Sequence, residues 1–232
     1  MRYDFDQLTG SQVSLHRFDE SCITPEYMGW LQDTEVLRYS SQRCCKHTEQ
    51  TCSAYLASFV DNANLFIAIR MRHSGRMVRT MTAYVAVPHG TADIGLMVGD
   101  RAQWGKGIGL DAWQTLMHYL LSECRMRKVT GGTLRCNVGM VRIMERSGMH
   151  LEAVRAKQQM VEGEAQDELY YAKFGNRIEV ADSGGGARCW RDQFGYGVAQ
   201  GSADGTYPHQ RRRSGAGYFC WRIATPDEHG AD

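Results

Sequence analysis

The sequence predicts an α/β fold built on a central mixed sheet. Segments with strand-like alternation and segments with helical periodicity follow one another from residue 12 to residue 174. Within residues 92–124, a short apolar strand leads into a loop with glycine at every second position and then into an amphipathic helix. Two further strand-like runs flank a Glu-Gly-Glu turn before residue 174. These patterns predict one main domain at residues 1–174.

The N-terminal half of this domain is predicted to hold a strand, two helices and then two neighbouring strands. Thr24 is a suitable N-cap, and Pro25 occupies the first helical position, where the missing N–H of proline has no cost. A turn that begins at His73 separates the two later strands. The predicted elements are a strand at 12–18, helices at 25–39 and 48–60, and strands at 65–72 and 77–87.

The C-terminal half is predicted to continue the alternation. We expect a strand at 93–98, a helix at 109–124, a strand at 128–136, a helix from Asn137 to Gly148, and a hairpin of strands 154–161 and 167–174. In the helix at 109–124, apolar side chains recur at spacings of three or four, so we expect them in the core rather than in a site. They are Leu110, Trp113, Met117, Leu120, Leu121 and Cys124.

The glycine-rich loop has the features of an anion-binding site. Gly105, Gly107 and Gly109 tolerate backbone angles that are closed to other residues, so successive N–H groups can face one concavity. The loop precedes a helix N-terminus, where the partial positive charge favours phosphate. A ligand that carries a pyrophosphate is therefore expected here.

Spacing separates three classes of phosphate-binding loop. The nucleoside-triphosphate loop requires Gly-x-x-x-x-Gly-Lys-Ser/Thr, which the chain lacks. A dinucleotide fingerprint is matched loosely from Gly107 to Ala112, but the next strand, 128–136, contains no Asp or Glu to bind a ribose. The third class is the loop of the GNAT superfamily of acyl-CoA N-acyltransferases, Arg/Gln-x-x-Gly-x-Gly/Ala, which Trp104-Gly-Lys-Gly-Ile-Gly109 resembles.

A second segment carries the same resemblance. The helix from Asn137 to Gly148 is similar to the Asn-x-x-(Ser/Ala)…Glu-Lys-x-Gly-Phe helix of this family. Trp104 stands where Arg or Gln is usual, and a Trp-Gly-Lys-Gly loop is familiar in the branch of ribosomal-protein N-terminal and amino-sugar acetyltransferases. Met140 replaces a small residue near the cofactor, and Met144 replaces the tyrosine that protonates the leaving thiolate in many members.

The resemblance implies a GNAT-like fold, with a mostly antiparallel sheet flanked by helices, and acetyl-CoA as co-substrate. The strand before the loop is expected to diverge from its neighbour, so that backbone N–H groups face the pantetheine and the thioester oxygen. Asn137 is expected beside the pantetheine arm, or to be a helix cap alone. The implied cofactor-binding residues are Leu96, Met97, Val98, Trp104, Gly105, Lys106, Gly107, Ile108, Gly109 and Asn137.

Acyl transfer from a thioester to an amine needs a base for the amine and a proton for the thiolate. Asp93 lies on the strand where relatives often carry a glutamate base, although a solvated surface carboxylate is the alternative reading. Tyr170 and Tyr171 are the candidate acids, and strand alternation sends one inward and the other outward. The sequence does not choose between the two tyrosines.

The pKa of the acceptor amine narrows the substrate class. At pH 7 a lysine amine is neutral in roughly one molecule in a few thousand, whereas an α-amine is neutral in roughly one in ten. We therefore expect a small-molecule amine acceptor, first a nucleotide-linked amino sugar, with a protein α-amine as the second choice. Arg38 and Tyr39 are candidates to bind the acceptor, because Asp33-Thr-Glu-Val-Leu-Arg-Tyr39 resembles the Asn-Asp-Pro-Glu-Val-x-Arg-Tyr segment of these relatives. For Arg38 the alternative is a helix-terminal arginine that binds backbone carbonyls. A CoA-binding sensor or interaction module without turnover is the alternative from another class.

Composition limits the other classes of function. The 27 basic and 26 acidic residues give no electrostatic footprint for nucleic acid or for an anionic membrane. The eight cysteines include no Cys-x-x-Cys pair, so no metal site is predicted. The N-terminus lacks the apolar run of a signal peptide, and a cytoplasmic location is expected. The oligomeric state, monomer or homodimer, is left open.

The composition changes beyond Phe174. The segment 175–232 contains eleven glycines and seven arginines but no lysine, and it shows no sustained helix or strand period. Its seven acidic residues balance its seven arginines, so its charge identifies no partner. We expect 175–232 to be a disordered or weakly ordered tail.

Overall fold

Eight strands form one sheet in the residues that the structure, a computed structural model, describes: Tyr3, 5–97 and 99–175. The strands are β1 (Leu8–Thr9), β2 (Val13–Arg17), β3 (Leu65–Met71), β4 (Met77–Ala86), β5 (Thr91–Met97), β6 (Lys128–Leu134), β7 (His150–Val161) and β8 (Glu164–Phe174). Their order is β1-β2-β3-β4-β5-β6-β8-β7, and β5 with β6 is the parallel pair among antiparallel neighbours. The predicted mixed, mostly antiparallel sheet is confirmed.

Five α-helices flank the sheet within the described residues. They are α1 (Pro25–Trp30), α2 (Thr34–Leu37), α3 (Glu49–Ala57), α4 (Ile108–His118) and α5 (Val138–Arg146). The continuous helix predicted at 25–39 is wrong. Asp33 interrupts it, because its Oδ1 accepts the N–H of Glu35 at 2.9 Å and caps a new helix.

The helix predicted at 109–124 changes from α-helical to π-helical geometry near its end. α4 stops at His118, and Tyr119–Glu123 continue as one π-helical turn. The wider turn shifts the phase of the helix, so that Tyr119 and Leu120 are both buried. Leu116, which the predicted stripe omits, is fully buried, whereas Leu110 is half-buried.

The sheet separates two hydrophobic clusters. One face packs against α4 and α5 through Trp113, Leu116 and Met144, which are all fully buried. The other face packs against α1 and α3 through an aromatic cluster, in which the rings of Phe18 and Phe66 stack at 4.1 Å. Because helices cover both faces of the sheet, a ligand site is expected at the ends of the strands.

Local turn chemistry is as predicted. Gly148 ends α5 with φ +77°, and Glu162 and Gly163 turn β7 into β8 with φ values of +50° and +84°. Among the described residues, no helix combines the length and the apolar character that crossing a bilayer requires. The predicted tail at 175–232 lies outside the described residues, apart from Gly175.

Candidate active site

The central feature of the site is a gap between two parallel strands. β5 and β6 pair at three positions, of which Asp93 with Thr130 is the last. β5 continues its pairing with β4 as far as Met97, so the other edge of Leu96 and Met97 has no β6 partner. The expected divergence is therefore present, and backbone polar groups at this edge are free to meet a ligand. Val98 lies outside the described residues.

The glycine-rich loop leads from this gap into α4. Gly105 and Gly107 have φ values of +74° and +82°, which only glycine adopts without strain. Gly107 is the N-cap of α4 and contributes no side-chain cap, so the first N–H groups of the helix are left for a ligand. Trp104 and Lys106 are exposed beside it, and the Arg101 guanidinium lies 5.8 Å from the Trp104 ring centroid.

Gly109 is needed for a different reason from the one expected. It does not have a positive φ. A Cβ placed on Gly109 would come within 3.0 Å of Ile143 Cδ1 and 3.1 Å of Arg79 Nη1. Its absence of a side chain therefore allows close packing of the first turn of α4, not an unusual backbone angle.

Asp93 holds its position at the last paired residue before the gap. Its Oδ2 accepts a hydrogen bond from the Thr130 hydroxyl at 2.6 Å, across the β5–β6 pair. Desolvation by the surrounding protein raises the pKa of the Asp93 carboxyl, and the hydrogen bond from Thr130 opposes this rise in part. The side chain still contacts solvent. The direction of the pKa shift favours a general base, because a carboxylate with a higher pKa holds an accepted proton more strongly.

The two candidate tyrosines face opposite sides of the sheet. Tyr171 is 4 % exposed, and its hydroxyl donates to Glu145 Oε1 of α5 at 3.2 Å. Tyr170 pairs with Gly132, and its ring lies over that residue, because a Cβ on Gly132 would be 3.3 Å from Tyr170 Cε1. Gly132 is two residues beyond Thr130 on the same face, so Tyr170 lies on the Asp93 side of the sheet, next to the gap.

Two charged residues beside Tyr170 were missed in the sequence. Glu168 is 5 % exposed and accepts a bond of 3.4 Å from Gln159 Nε2, and burial raises its pKa. The Arg155 guanidinium lies 4.8 Å from the Tyr170 ring centroid. Burial, followed by the charge of Glu168, raises the pKa of Tyr170 to about 12. The two-residue period of β8 is the signal that could have placed Glu168 on the face of Tyr170.

Comparison with known proteins identifies the family. Residues 14–150 match the family described as acetyltransferase (GNAT) domain. The chain belongs to the GNAT acetyltransferases. Proteins of this family use acetyl-CoA as the co-substrate of N-acetylation.

Individual GNAT relatives show the likeness in more detail. The protein named "Probable N-acetyltransferase YjcK" from Bacillus subtilis (strain 168) is 31% identical over 77 residues, which cover 33% of this chain and 42% of that relative. A GNAT-family acetyltransferase from Bacillus anthracis is 18% identical, with a TM-score of 0.61 over 72% of this chain and 98% of that one. The chain thus spans less than half the length of the curated relative that it matches.

Two solved GNAT structures contain coenzyme A. One is a ribosomal L7/L12 alpha-N-protein acetyltransferase, 15% identical, with a TM-score of 0.65 over 73% of this chain and 98% of that one. The other is the spermidine N-acetyltransferase from Vibrio cholerae with CoA and spermine, 14% identical, with a TM-score of 0.64 over 71% of this chain and 96% of that one. At these identities the likeness establishes a shared fold.

The second GNAT segment is a capped helix in the structure. Asn137 caps α5, with its Oδ1 accepting the N–H of Met140 at 3.3 Å. Met144 is fully buried in the core and has no proton to donate to a thiolate. The acid of this GNAT domain is therefore expected elsewhere than on α5.

The candidate acceptor residues make ion pairs and ring contacts at the end of α2. Arg38 Nη2 lies 2.8 Å from Glu162 Oε2 in the β7–β8 turn, and Arg38 Nη1 lies 3.9 Å from Glu35. The Arg38 guanidinium also lies 5.4 Å from the ring centroid of Tyr39. The charge of Arg38 is therefore already matched by carboxylates. Among the described residues, no group of three or more His, Cys, Asp or Glu side chains is arranged to hold a metal ion.

Proposed function

We propose that this chain transfers the acetyl group of acetyl-CoA to the primary amine of a small molecule, with a nucleotide-linked amino sugar as the first acceptor to test. The observation that carries the proposal is the parting of β5 from β6 immediately after Asp93, next to the glycine N-cap of α4. Acetyl-CoA supplies the activated thioester.

The residues around the gap fit this co-substrate. The N–H groups that follow Gly107 at the start of α4 would bind the pyrophosphate, and Lys106 would add charge beside it. The unpaired edge of Leu96 and Met97 would bind the pantetheine arm and the thioester oxygen. Exposed Trp104 lies at the entrance to the loop.

Acyl transfer needs two proton transfers, and in this proposal Asp93 carries out one and Tyr170 the other. Asp93 would take the proton from the attacking nitrogen at its carboxylate, while Thr130 holds that carboxylate in place. Tyr170 would hold the proton that the departing sulfur requires, because its ring lies beside the gap on the Asp93 face of the sheet. Tyr171 is a less suitable acid, since its side chain lies on the opposite face of the sheet, against Glu145 of α5.

The surroundings of Tyr170 support an acceptor with an anionic part. Arg155 is exposed and lies against the Tyr170 ring, where it would meet the phosphates of a nucleotide-linked sugar. A protein α-amine is the second candidate, because its low pKa suits a site with one carboxylate base. A polyamine is a third acceptor class to test, because Asp93 and Glu168 bring negative charge to the same face and one neighbour in fold is described as a spermidine N-acetyltransferase.

Thiol release from acetyl-CoA tests the proposal directly. The acceptors are an amino-sugar nucleotide, a peptide with a free α-amine, spermidine and a peptide with a lysine side chain. We expect release to be fastest with the amino-sugar nucleotide. Fastest release with the lysine peptide would contradict this ranking of acceptors, and CoA binding without release for any amine would favour the CoA-binding module.

The pH profile of Asp93→Asn tests the base. We expect turnover to fall about a hundredfold at neutral pH and to recover in part at high pH, where solvent has already deprotonated the amine. CoA affinity should hardly change, because the role belongs to the chemical step. Asp6→Asn, a change of an exposed aspartate, is the control. An equal loss of turnover at every pH would exclude Asp93 as the base.

A further inference from the structure

Arg79 is a buried cation directly beneath the start of α4. It lies on β4 with 4 % of its surface exposed, and its Nη2 donates to the carbonyl oxygen of Gln103 at 2.9 Å. Its Nη1 is 3.1 Å from the place that a Cβ on Gly109 would take. Its Nε has no hydrogen-bond partner among the described residues.

The charge of Arg79 is poorly compensated within the protein. Burial lowers its pKa to about 10, and Asp100 is the acidic group that opposes this change. The carboxylate of Asp100 also pairs with Arg76 at 3.3 Å and accepts the N–H of Ala102 at 2.9 Å. The positive end of α4 lies beside the same guanidinium, and Lys106 contacts the side chain of Gln103 at 3.4 Å.

Such a concentration of positive charge is unfavourable until an anion binds. A guanidinium, a helix N-terminus and an ammonium group surround one short loop. Of the two nearby carboxylates, Asp100 is shared with Arg76, and Asp111 in the first turn of α4 accepts backbone N–H groups of the β1–β2 turn. Attraction between a buried cation and a nearby anion is also screened less by salt than attraction at the surface. The arrangement therefore favours a phosphate-bearing ligand over the loop.

We propose that Arg79 is a positioning residue for the pyrophosphate of acetyl-CoA. It acts in two ways from below the loop: it fixes the carbonyl of Gln103, so that the following turn keeps its shape, and it adds positive charge beneath the bound anion. The proposal rests on the proposed function, in which this loop binds the co-substrate.

This role predicts opposite effects on stability and on affinity. Folding must remove the Arg79 charge from water, so an apolar side chain of similar length should leave the melting temperature of the free protein unchanged or raise it. The same change should weaken CoA binding. A purely structural arginine would instead lower the melting temperature when it is replaced.

The experiment compares Arg79→Met, Arg79→Gln and Arg79→Lys by calorimetry with CoA and by thermal melting. We expect Arg79→Met to weaken CoA binding about tenfold, which corresponds to about 1.4 kcal/mol, and to raise the KM for acetyl-CoA with kcat nearly unchanged. Arg79→Lys, which keeps the charge, should recover most of the affinity. Arg79→Gln keeps a donor for Gln103 without the charge and should stay weak.

Arg127→Met is the matched control, because it removes an exposed cation immediately before β6, where that strand pairs with the start of β5 rather than with the end that leads into the loop. It should leave CoA affinity unchanged. Inorganic pyrophosphate serves as a second probe, and it should compete with CoA less well in Arg79→Met than in the wild type.

Two results would overturn the assignment of Arg79 alone. One is wild-type CoA affinity in Arg79→Met, and the other is a lower melting temperature with a joint fall of kcat and affinity that Arg79→Lys does not rescue. A wild-type chain with no affinity for CoA would overturn the proposed function and this proposal together.

Discussion

Single residues determine which aromatic ring meets the gap. The neighbours Gly131 and Gly132 on β6 point to opposite faces, and each makes room for a ring. A Cβ on Gly131 would be 2.9 Å from Trp113 Cη2, whereas one on Gly132 would be 3.3 Å from Tyr170 Cε1. The place of the candidate acid thus depends on a missing side chain in the adjacent strand.

The adjacent tyrosines should respond differently to loss of their hydroxyls. Tyr170→Phe should lower kcat by about a hundredfold, because it removes the proton donor and keeps the ring. Tyr171→Phe should keep kcat but lose about 1 kcal/mol of stability, or about 2–4 °C in melting temperature, since Glu145 loses its partner. Steady-state kinetics and thermal melting check both. The reverse pattern would assign the acid to Tyr171.

At the scale of elements, one carboxylate fastens the start of α4 to the sheet. Asp111, in the first turn of α4, accepts the backbone N–H groups of Ser11, Gln12 and Val13 at 2.9, 2.7 and 3.0 Å, and the Ser11 hydroxyl at 2.9 Å. These bonds outweigh burial and lower the pKa of Asp111. The turn between β1 and β2 is thereby held beside the helix that carries the phosphate loop.

Replacing this carboxylate should cost stability in a pH-dependent way. We expect Asp111→Asn to lose about 2 kcal/mol at pH 7, because an amide oxygen accepts fewer and weaker bonds. Since the pKa of Asp111 in the folded protein lies below its ordinary value of 3.8, the stabilisation is present above that pH and is lost as pH falls through the lower value. Urea denaturation at pH 7 and pH 3 measures the difference.

The control for Asp111 is Glu123→Gln, which changes an exposed acid beyond the end of α4. It should leave the free energy of unfolding within about 0.5 kcal/mol of the wild type. If Asp111→Asn lowers the free energy of unfolding by the same amount at pH 3 and at pH 7, the charge of Asp111 contributes nothing to its hydrogen bonds with the β1–β2 turn.

At the scale of the whole molecule, the described residues form one sheet, and the strand that comes last in the sequence, β8, lies inside it. β8 lies between β6 and β7, and the N–H of Gly175 still donates to the carbonyl of Arg127 at 3.0 Å. Both hydrophobic clusters are built from residues between Tyr3 and Tyr171. Within the described residues, these two clusters bury the apolar surface that is the main source of stability.

A chain that ends at Asn176 should therefore fold by itself. We expect it to keep the melting temperature and the CoA affinity of the full chain, because it retains the eight strands of the described residues and the loop. Thermal melting and calorimetry on the two lengths check this. A loss of several degrees, or protection of amides in 177–232 from hydrogen exchange, would show that the remaining segment packs on the domain.

The sequence by itself determined what local physics controls. The caps at Thr24 and Asn137, the turn at Gly148 and the glycine loop depend on a few neighbouring residues, and their conformations follow from side-chain acceptors and permitted φ values. The continuous helix across Asp33 was the local error, because helical periodicity does not count a competing cap inside the run.

Only the tertiary structure decided which of these residues meet. Alternation showed that Tyr170 and Tyr171 face opposite sides, but the choice of face depends on pairing with β6, some forty residues earlier in the chain. Arg79 and Glu168 read as ordinary strand charges in the sequence, and their burial follows from neighbours on other elements. The physical reason is that desolvation and charge pairing are set by distance in space, which strand register fixes and residue spacing along the chain does not.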